Sequence, residues 1–581
     1  MKLVRNRTLF RCEPRPRFLP LHSVCNVNKT FPLFVCLLLV LAACEADPTP
    51  VPSTPSVLST TFPPTVQTPS VQPTASQNST PAPSAPSNVS KSPTIPRAPS
   101  GSITLAGYGA PSREITTLPE FVSRALYDSL LRVNPQTGDL TPGLAERWLI
   151  SEDAKTFVFM LRDDVVWHDG APFTADDVVF TLRAFSSPDI RTNPAADFGP
   201  IAKINATDSR TVSITFEEAY CAALTYIGAI PILPAHRLQE KSLTNVANQD
   251  FIGTGPLVLK SWNDNAISFT RNERYWKGAP QILDWTYRWY ENENAARAAH
   301  LRGQADLVVT RQRAANSNAK RALNQFFALA LNVKRAPFDD VRVRQAIELG
   351  IDRAAVVPEE FRGDATLLQT SLLPNFWANT QNATQPAFNP QRARELLTST
   401  GWRDTDGDGI VEKDRKSFQV TLWARADENR SEVTAQILRA QLQQIGVRAV
   451  LKLTDRILFL TRVFLEEYDL ALAQFNIPLD PDQHYFWAST EDEPGFGLNV
   501  TGYRNTRVDE ALDAGNRVAR CEPTARKNAY APVFQNIAQD VPMVFLFAPP
   551  EYLAANANVR GLAPSSFAGN FWNLEAWEKA P

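Results

Sequence analysis

The stretch "KTFVFMLRDDVVWHDGAPFTADDVVFTL", residues 155–182, decides the fold class. It opens as a strand of aromatic and aliphatic residues, turns at Asp169-Gly170, and becomes a helix capped by Thr174, with Asp177 three residues on. Two further segments repeat this mixture. "FNPQRARELLTSTGW", 388–402, is a helix with Asn389 as N-cap, Pro390 in the first turn, Leu396 and Leu397 inward and Gly401 as terminator. In "SEVTAQILRAQLQQIGVRAVLKL", 431–453, Ile437, Leu438, Leu442 and Ile445 recur at helical spacing. After Gly446, Val447, Ala449, Leu451 and Leu453 alternate as in a strand. Helices and strands thus interleave, no short-period repeat is present, and the class is α/β with mixed sheets.

The N-terminal hundred residues follow another logic. "LVLAACEADPTP", 39–50, ends an apolar run, Phe31 to Ala43, at a cysteine and passes into prolines. That run is shorter than the roughly 20 residues a membrane span needs. With Arg11, Arg15, Arg17 and Lys29 upstream it reads as a secretory signal, residues 1–43. Leu41-Ala42-Ala43-Cys44 resembles the bacterial lipobox, which implies lipidation of Cys44; the alternative is an ordinary signal with an incidental cysteine. Residues 45–100 hold fourteen prolines and few large apolar side chains, so 44–100 is expected to be a disordered tether.

Basic and acidic residues nearly cancel in the whole chain, 59 against 61, and no dense Lys/Arg block occurs, which excludes the electrostatic footprint of a nucleic-acid binder. Beyond Cys44 two cysteines remain, Cys221 and Cys521. The compartment permits a disulfide, but at a separation of 300 residues they read as two separate buried hydrophobes. No G-x-S-x-G, Walker or H-E-x-x-H motif is present, and His168, His236, His300 and His484 are scattered without zinc-ligand spacing. His168 beside Asp169 reads as a structural turn residue, because adjacent side chains seldom face one another. In "DTDGDGIVEKDR", 404–415, Asp404, Asp406 and Asp408 alternate ahead of Gly409 as in a calcium loop, with Glu412 or Asp414 as a further donor. Position twelve is Arg415 where a bidentate Glu belongs, so the loop is either a structural calcium site or an acidic surface turn.

Six blocks in series resemble the family 5 extracellular solute-binding proteins, the peptide and nickel receptors of ABC importers. They are 125–182, "GTGPLVLKSW" (253–262), "RNERYWKGAP" (271–280), "LRGQADLV" (301–308), "LNVKRAPFDDVRVRQAIELGIDR" (331–353) and "QNIAQDVPMVFLF" (535–547). The resemblance covers residues 101 to 581. It implies a two-lobed clamp of the periplasmic-binding-protein kind, type II-like, with a subdomain inserted in the first lobe at about 132–205. The first lobe would run from 101 to 330 and the second from 331 to 540, with 541–581 returning to the first. Such a protein is not an enzyme. It is a monomeric receptor anchored outside the cytoplasm, requiring no cofactor, which captures a small solute (peptide, sugar or chelate) and delivers it to ABC permease subunits. A non-peptide ligand, or a sensor on the same fold, is the alternative.

The resemblance places the ligand segment at "DLALAQFNIPLDPDQHYFW", 469–487. In the dipeptide and oligopeptide receptors an Asp three residues before the Asp-Pro pairs with the peptide ammonium. Here that position is Ile477, and Gln474 replaces the usual tryptophan, so unblocked peptides are expected to bind weakly unless Asp480 or Asp482 serves instead. Trp423, Phe475, Asn476, Asp480, Tyr485, Trp487 and Tyr503 are the expected ligand-binding residues, the aromatic ones as walls of an interlobe cleft.

Overall fold

In a computed structural model that describes residues 101–187, 198–313, 317–361 and 363–580, the segment 155–182 forms strand Thr156–Leu161 and begins helix Ala175–Phe185. The backbone N–H of Thr174 donates to the Asp177 carboxylate at 3.0 Å. The indole of Trp167 donates to the same carboxylate at 3.1 Å, and its other oxygen accepts from Ala235 N at 2.9 Å. Asp177 therefore caps its own helix and pins two neighbouring segments to it, which satisfies a carboxylate that is almost fully buried.

Three main sheets organise the chain. The first lobe holds seven strands in the order Ser317–Ala322, Pro550–Ala555, Leu307–Thr310, Ser102–Tyr108, Asp284–Tyr290, Ala266–Arg271, Leu257–Trp262. The second holds six: Thr366–Leu367, Met543–Ala548, Gln325–Leu331, Leu470–Asn476, Gln419–Arg425, Arg448–Thr454. Both mix parallel and antiparallel pairs. A four-stranded antiparallel sheet, Ala145–Ile150, Thr156–Leu161, Thr211–Phe216, Ile201–Asp208, forms the inserted subdomain. Strand Gln325–Leu331 is apolar almost throughout because it is central in its sheet and covered on both faces.

The sheets move the expected boundaries. Strand Gln325–Leu331 belongs to the second sheet, so the chain crosses at 323–324 and not at 330. Strand Met543–Ala548 is also in the second sheet, so the return occurs at Pro549 and not at 541. A subdomain ending at 205 would cut strand Ile201–Asp208 in half; its apolar core runs on through Ile214 and Ile227 to Ile232. The cysteines need the plainest correction. Cys221 and Cys521 are buried and joined in a disulfide, with Cα atoms 5.3 Å apart, because the second lobe folds its Ala519–Cys521 turn onto the subdomain core. The signal, Cys44 and the tether lie outside the described residues. Among those residues no helix is long and apolar enough to cross a membrane.

His168 docks the subdomain on the first lobe. Its backbone N donates to Gly253 O at 2.9 Å, its Nδ1 accepts from Gly253 N at 3.1 Å, and its Nε2 lies 3.0 Å from Gly255 O. Burial pushes the imidazole down to about 4, against the opposing pull of the Gly255 carbonyl and of Asp169. The unfolded chain takes up a proton near the ordinary value of 6.5, so the stabilisation is complete above that pH and is lost as pH falls toward 4, by up to about 3 kcal/mol. Denaturant titrations at pH 7 and pH 4.5 should show a larger loss for the wild type than for His168→Gln. Equal losses would mean that the ring is not held neutral.

Candidate functional site between the lobes

A cavity of about 620 Å³ opens between the two lobes. The first lobe contributes Glu293, from the start of helix Glu293–Leu301, and Arg311, just past strand Leu307–Thr310. From the second come alternate residues of two paired strands, Gln325 and Phe327 on one and Leu472, Gln474 and Asn476 on the other. The pleat puts these five on one face. Their amides are linked: Gln474 Nε2 donates to Gln325 Oε1 at 2.8 Å, and Gln325 Nε2 to Asn476 Oδ1 at 3.0 Å.

The rest of the lining is charged. Arg425 forms a fork with Asp427 at 3.0 and 2.6 Å and lies 3.4 Å from Glu428. Its hydrogen bonds hold the Asp427 carboxyl below the usual carboxylate range. Arg430 reaches Glu360 at 2.9 Å, stacks over Phe361, and donates across the cleft to the backbone carbonyl of Arg311 at 2.9 Å. Glu293 accepts from Thr310 Oγ1 at 2.5 Å and from Arg311 N at 2.8 Å. The guanidinium groups of Arg311 and Arg456, one from each lobe, make no hydrogen bond or ion pair among the described residues. The three acids of the lining, Glu293, Asp427 and Glu428, are thus already engaged, while Arg311 and Arg456 have no hydrogen-bonded side-chain partner among the described residues, so the arrangement can accept an anionic group.

A family model described as "Bacterial extracellular solute-binding proteins, family 5 Middle" matches residues 139–496. The chain belongs to that family. It is a family of solute-binding proteins and not of enzymes. The chain is 25% identical over 477 residues to the oligopeptide-binding protein AppA of Bacillus subtilis, covering 78% of this chain and 86% of AppA. It is 28% identical over 355 residues to the glutathione-binding protein GsiB of Salmonella typhimurium, covering 58% and 66%. Among solved structures, HbpA2 from Haemophilus parasuis superposes with a TM-score of 0.70 at 21% identity, over 83% of this chain and all of that one. NikZ from Campylobacter jejuni, in complex with Ni(L-His), superposes at 0.64 and 24%, over 82% and 99%. These likenesses fix the fold as a two-lobed family 5 binding protein.

Of the seven residues expected at the ligand, Asn476 lines the cavity of this family member. Phe475 has the opposite pleat parity and packs between Phe326 and Phe486 in the second-lobe core. Ile477 shares that side and is 7% exposed, so a carboxylate placed there would enter an apolar cluster and not the cavity. Trp423 lies on the same strand face as Arg425 but is covered by the guanidinium of Arg462, 5.8 Å from its ring. Trp487 and Tyr503 are core residues, the indole bonded to Gln483 and the phenol to Asp540. Tyr485 is half-buried on the short helix His484–Trp487. Asp482 is engaged by His484 and Asn516. Arg311 and Arg456 escaped sequence reading. The available signal was the end of "LALAQFN", where Gln474 and Asn476 make one face of an apolar strand polar just where it meets the cavity. In the acidic loop, carboxylate oxygens of Asp404, Asp406, Asp408 and Glu412 lie within 4.8 Å of one another. Asp404 also accepts from Gly407 N and Gly409 N, and Asp408 from Arg448.

Asp480 is fully buried and paired with Arg526 at 2.7 and 3.0 Å; it also accepts from Thr225 Oγ1 at 2.8 Å and Asp482 N at 3.0 Å. Burial alone would favour loss of the Arg526 proton, and Asp480 more than reverses this. Asp480→Asn strands a buried guanidinium and should destabilise the protein by about 3–5 kcal/mol in urea titrations. Unchanged stability with lost solute binding would instead make Asp480 a ligand partner.

Proposed function

We propose that this protein is the receptor of an ABC importer, capturing a small, peptide-like solute that carries a carboxylate and presenting it to permease subunits. The observation that carries this reading is the pair of guanidiniums, Arg311 and Arg456, that face one cavity from opposite lobes and make no hydrogen bond or ion pair among the described residues. Like charges on the two lobes oppose closure. An anion between them removes that opposition and adds charged hydrogen bonds worth about 1.5–3 kcal/mol each. The ligand then favours the closed state specifically, which is what allows closure to report occupancy. Family membership and the peptide- and glutathione-binding relatives support a peptide-like solute. A sugar has less support, because Phe327 and Phe459, the aromatic side chains of the lining, are almost fully buried. A metal chelate with free carboxylates would suit the same guanidiniums.

Asp427 and Glu428 are already held by Arg425, and Glu293 by the Thr310 hydroxyl and the Arg311 amide, so a ligand ammonium would compete with bonds already made. Calorimetry should therefore find amine-blocked peptides bound at least as tightly as unblocked ones. Arg311→Ala and Arg456→Ala should each weaken binding about tenfold or more while leaving stability within about 0.5 kcal/mol. Tight binding that requires a free amine, or indifference to both substitutions, would contradict the reading.

Monomeric action from the outer side of the membrane, on a lipid attached to Cys44 with 45–100 as tether, completes the proposal. It is supported by the lipobox-like sequence and the extracellular family. No cofactor is needed for this role, and calcium in the 404–412 loop would serve as structural support. Cys44→Ser should move the protein from the detergent phase to the aqueous phase on partitioning; retention in detergent would rule out the anchor.

A further inference from the structure

The two backbone crossings between the lobes lie side by side, since Leu323 N donates to Pro549 O at 2.9 Å. Two adjacent strands make one pivot. A body held at a single pivot can open, twist and swing sideways. The Cys221–Cys521 bond adds a third covalent connection, and its two ends lie on different bodies. Cys221 belongs to the subdomain, whose chain enters from and returns to the first lobe, and which His168 clamps to that lobe. Cys521 lies in the turn between helices Thr506–Asn516 and Pro523–Asp540 of the second lobe.

The surroundings form a built junction. Cys221 N donates to Asn516 O at 3.1 Å and Ala222 N to Asn516 Oδ1 at 3.2 Å. Asn516 Nδ2 donates to Asp482 Oδ2 at 2.7 Å, and Thr225 Oγ1 to Asp480 Oδ2 at 2.8 Å. All four side chains are buried, and none of these residues lines the interlobe cavity.

We propose that the disulfide is a second pivot, so that the second lobe turns about one line running from the paired crossings to Cys221–Cys521. Two pivots leave one rotation. Opening and closing about that line survives, while twisting and splaying are suppressed. The bond thereby sets how the clamp moves without touching the solute, and it keeps Arg311 and Arg456 in register as the lobes separate. This holds whatever the solute is.

The test is electron-spin distance measurement on full-length protein in which Cys12, Cys25, Cys36 and Cys44 are replaced by Ser, carrying maleimide spin labels at Arg302→Cys and Arg439→Cys, both exposed and on opposite lobes. Alkylation and intact mass under non-reducing conditions first establish that Cys221 and Cys521 are bonded. The interlobe distance distribution should be narrow with the bond intact and at least twice as broad in Cys221→Ser/Cys521→Ser. The same labelled sample measured before and after chemical reduction gives a second reading should the double variant fail to fold. Free thiols at Cys221 and Cys521 in the oxidised protein, or equal widths with and without the bond, would overturn the proposal.

Discussion

One antiparallel ribbon runs through both lobes, and the rest of the architecture hangs on it. Strands Ser317–Ala322 and Pro550–Ala555 pair in the first sheet; Gln325–Leu331 and Met543–Ala548, their continuations, pair in the second. Because each strand leaves one sheet to enter the other, the second lobe is a single segment held between the two segments that make the first. The space beside the ribbon becomes a cavity with walls from both lobes, and Gln325 and Phe327 line it immediately past the crossing. A solute bound there touches two bodies that can move, and it can be enclosed only by their closure.

The charges in that space follow from the same arrangement. Arg425 and Arg430 are spent within the protein, on Asp427, Glu428 and Glu360, and Arg430 also reaches the first-lobe backbone. These contacts shape the wall. The guanidiniums of Arg311 and Arg456, one on each body, make no hydrogen bond in that network, and their hydration is lost on closure unless an anion replaces it. Affinity and closure are then two expressions of one contact.

Much of this was legible in the sequence where the physics is local. The cap at Thr174 and Asp177, the helix between Asn389 and Gly401, and the helix–strand switch at Gly446 depend on neighbours a few residues away, and all three form. The family blocks carried the clamp. What escaped was decided at long range. Cys221 meets Cys521 because the second lobe folds onto the subdomain, which spacing cannot disclose. Phe475 and Asn476 were grouped as ligand residues, but adjacent positions on a strand face opposite sides, and only the cavity's location says which side matters. Trp487 and Tyr503 carried the chemistry of a cleft wall and serve as core, as large aromatic residues more often do. Arg311 and Arg456 sit in polar loops and helix starts where arginine is ordinary, and they stand out only once both are seen to line one cavity.

The central claim is that the cleft holds a small solute by its carboxylate. Native mass spectrometry of the purified protein, followed by release and identification of whatever stays bound, addresses it most directly. The account predicts one solute per chain, of a size that fits about 620 Å³ and bearing at least one carboxylate. A retained solute with no acidic group would contradict it.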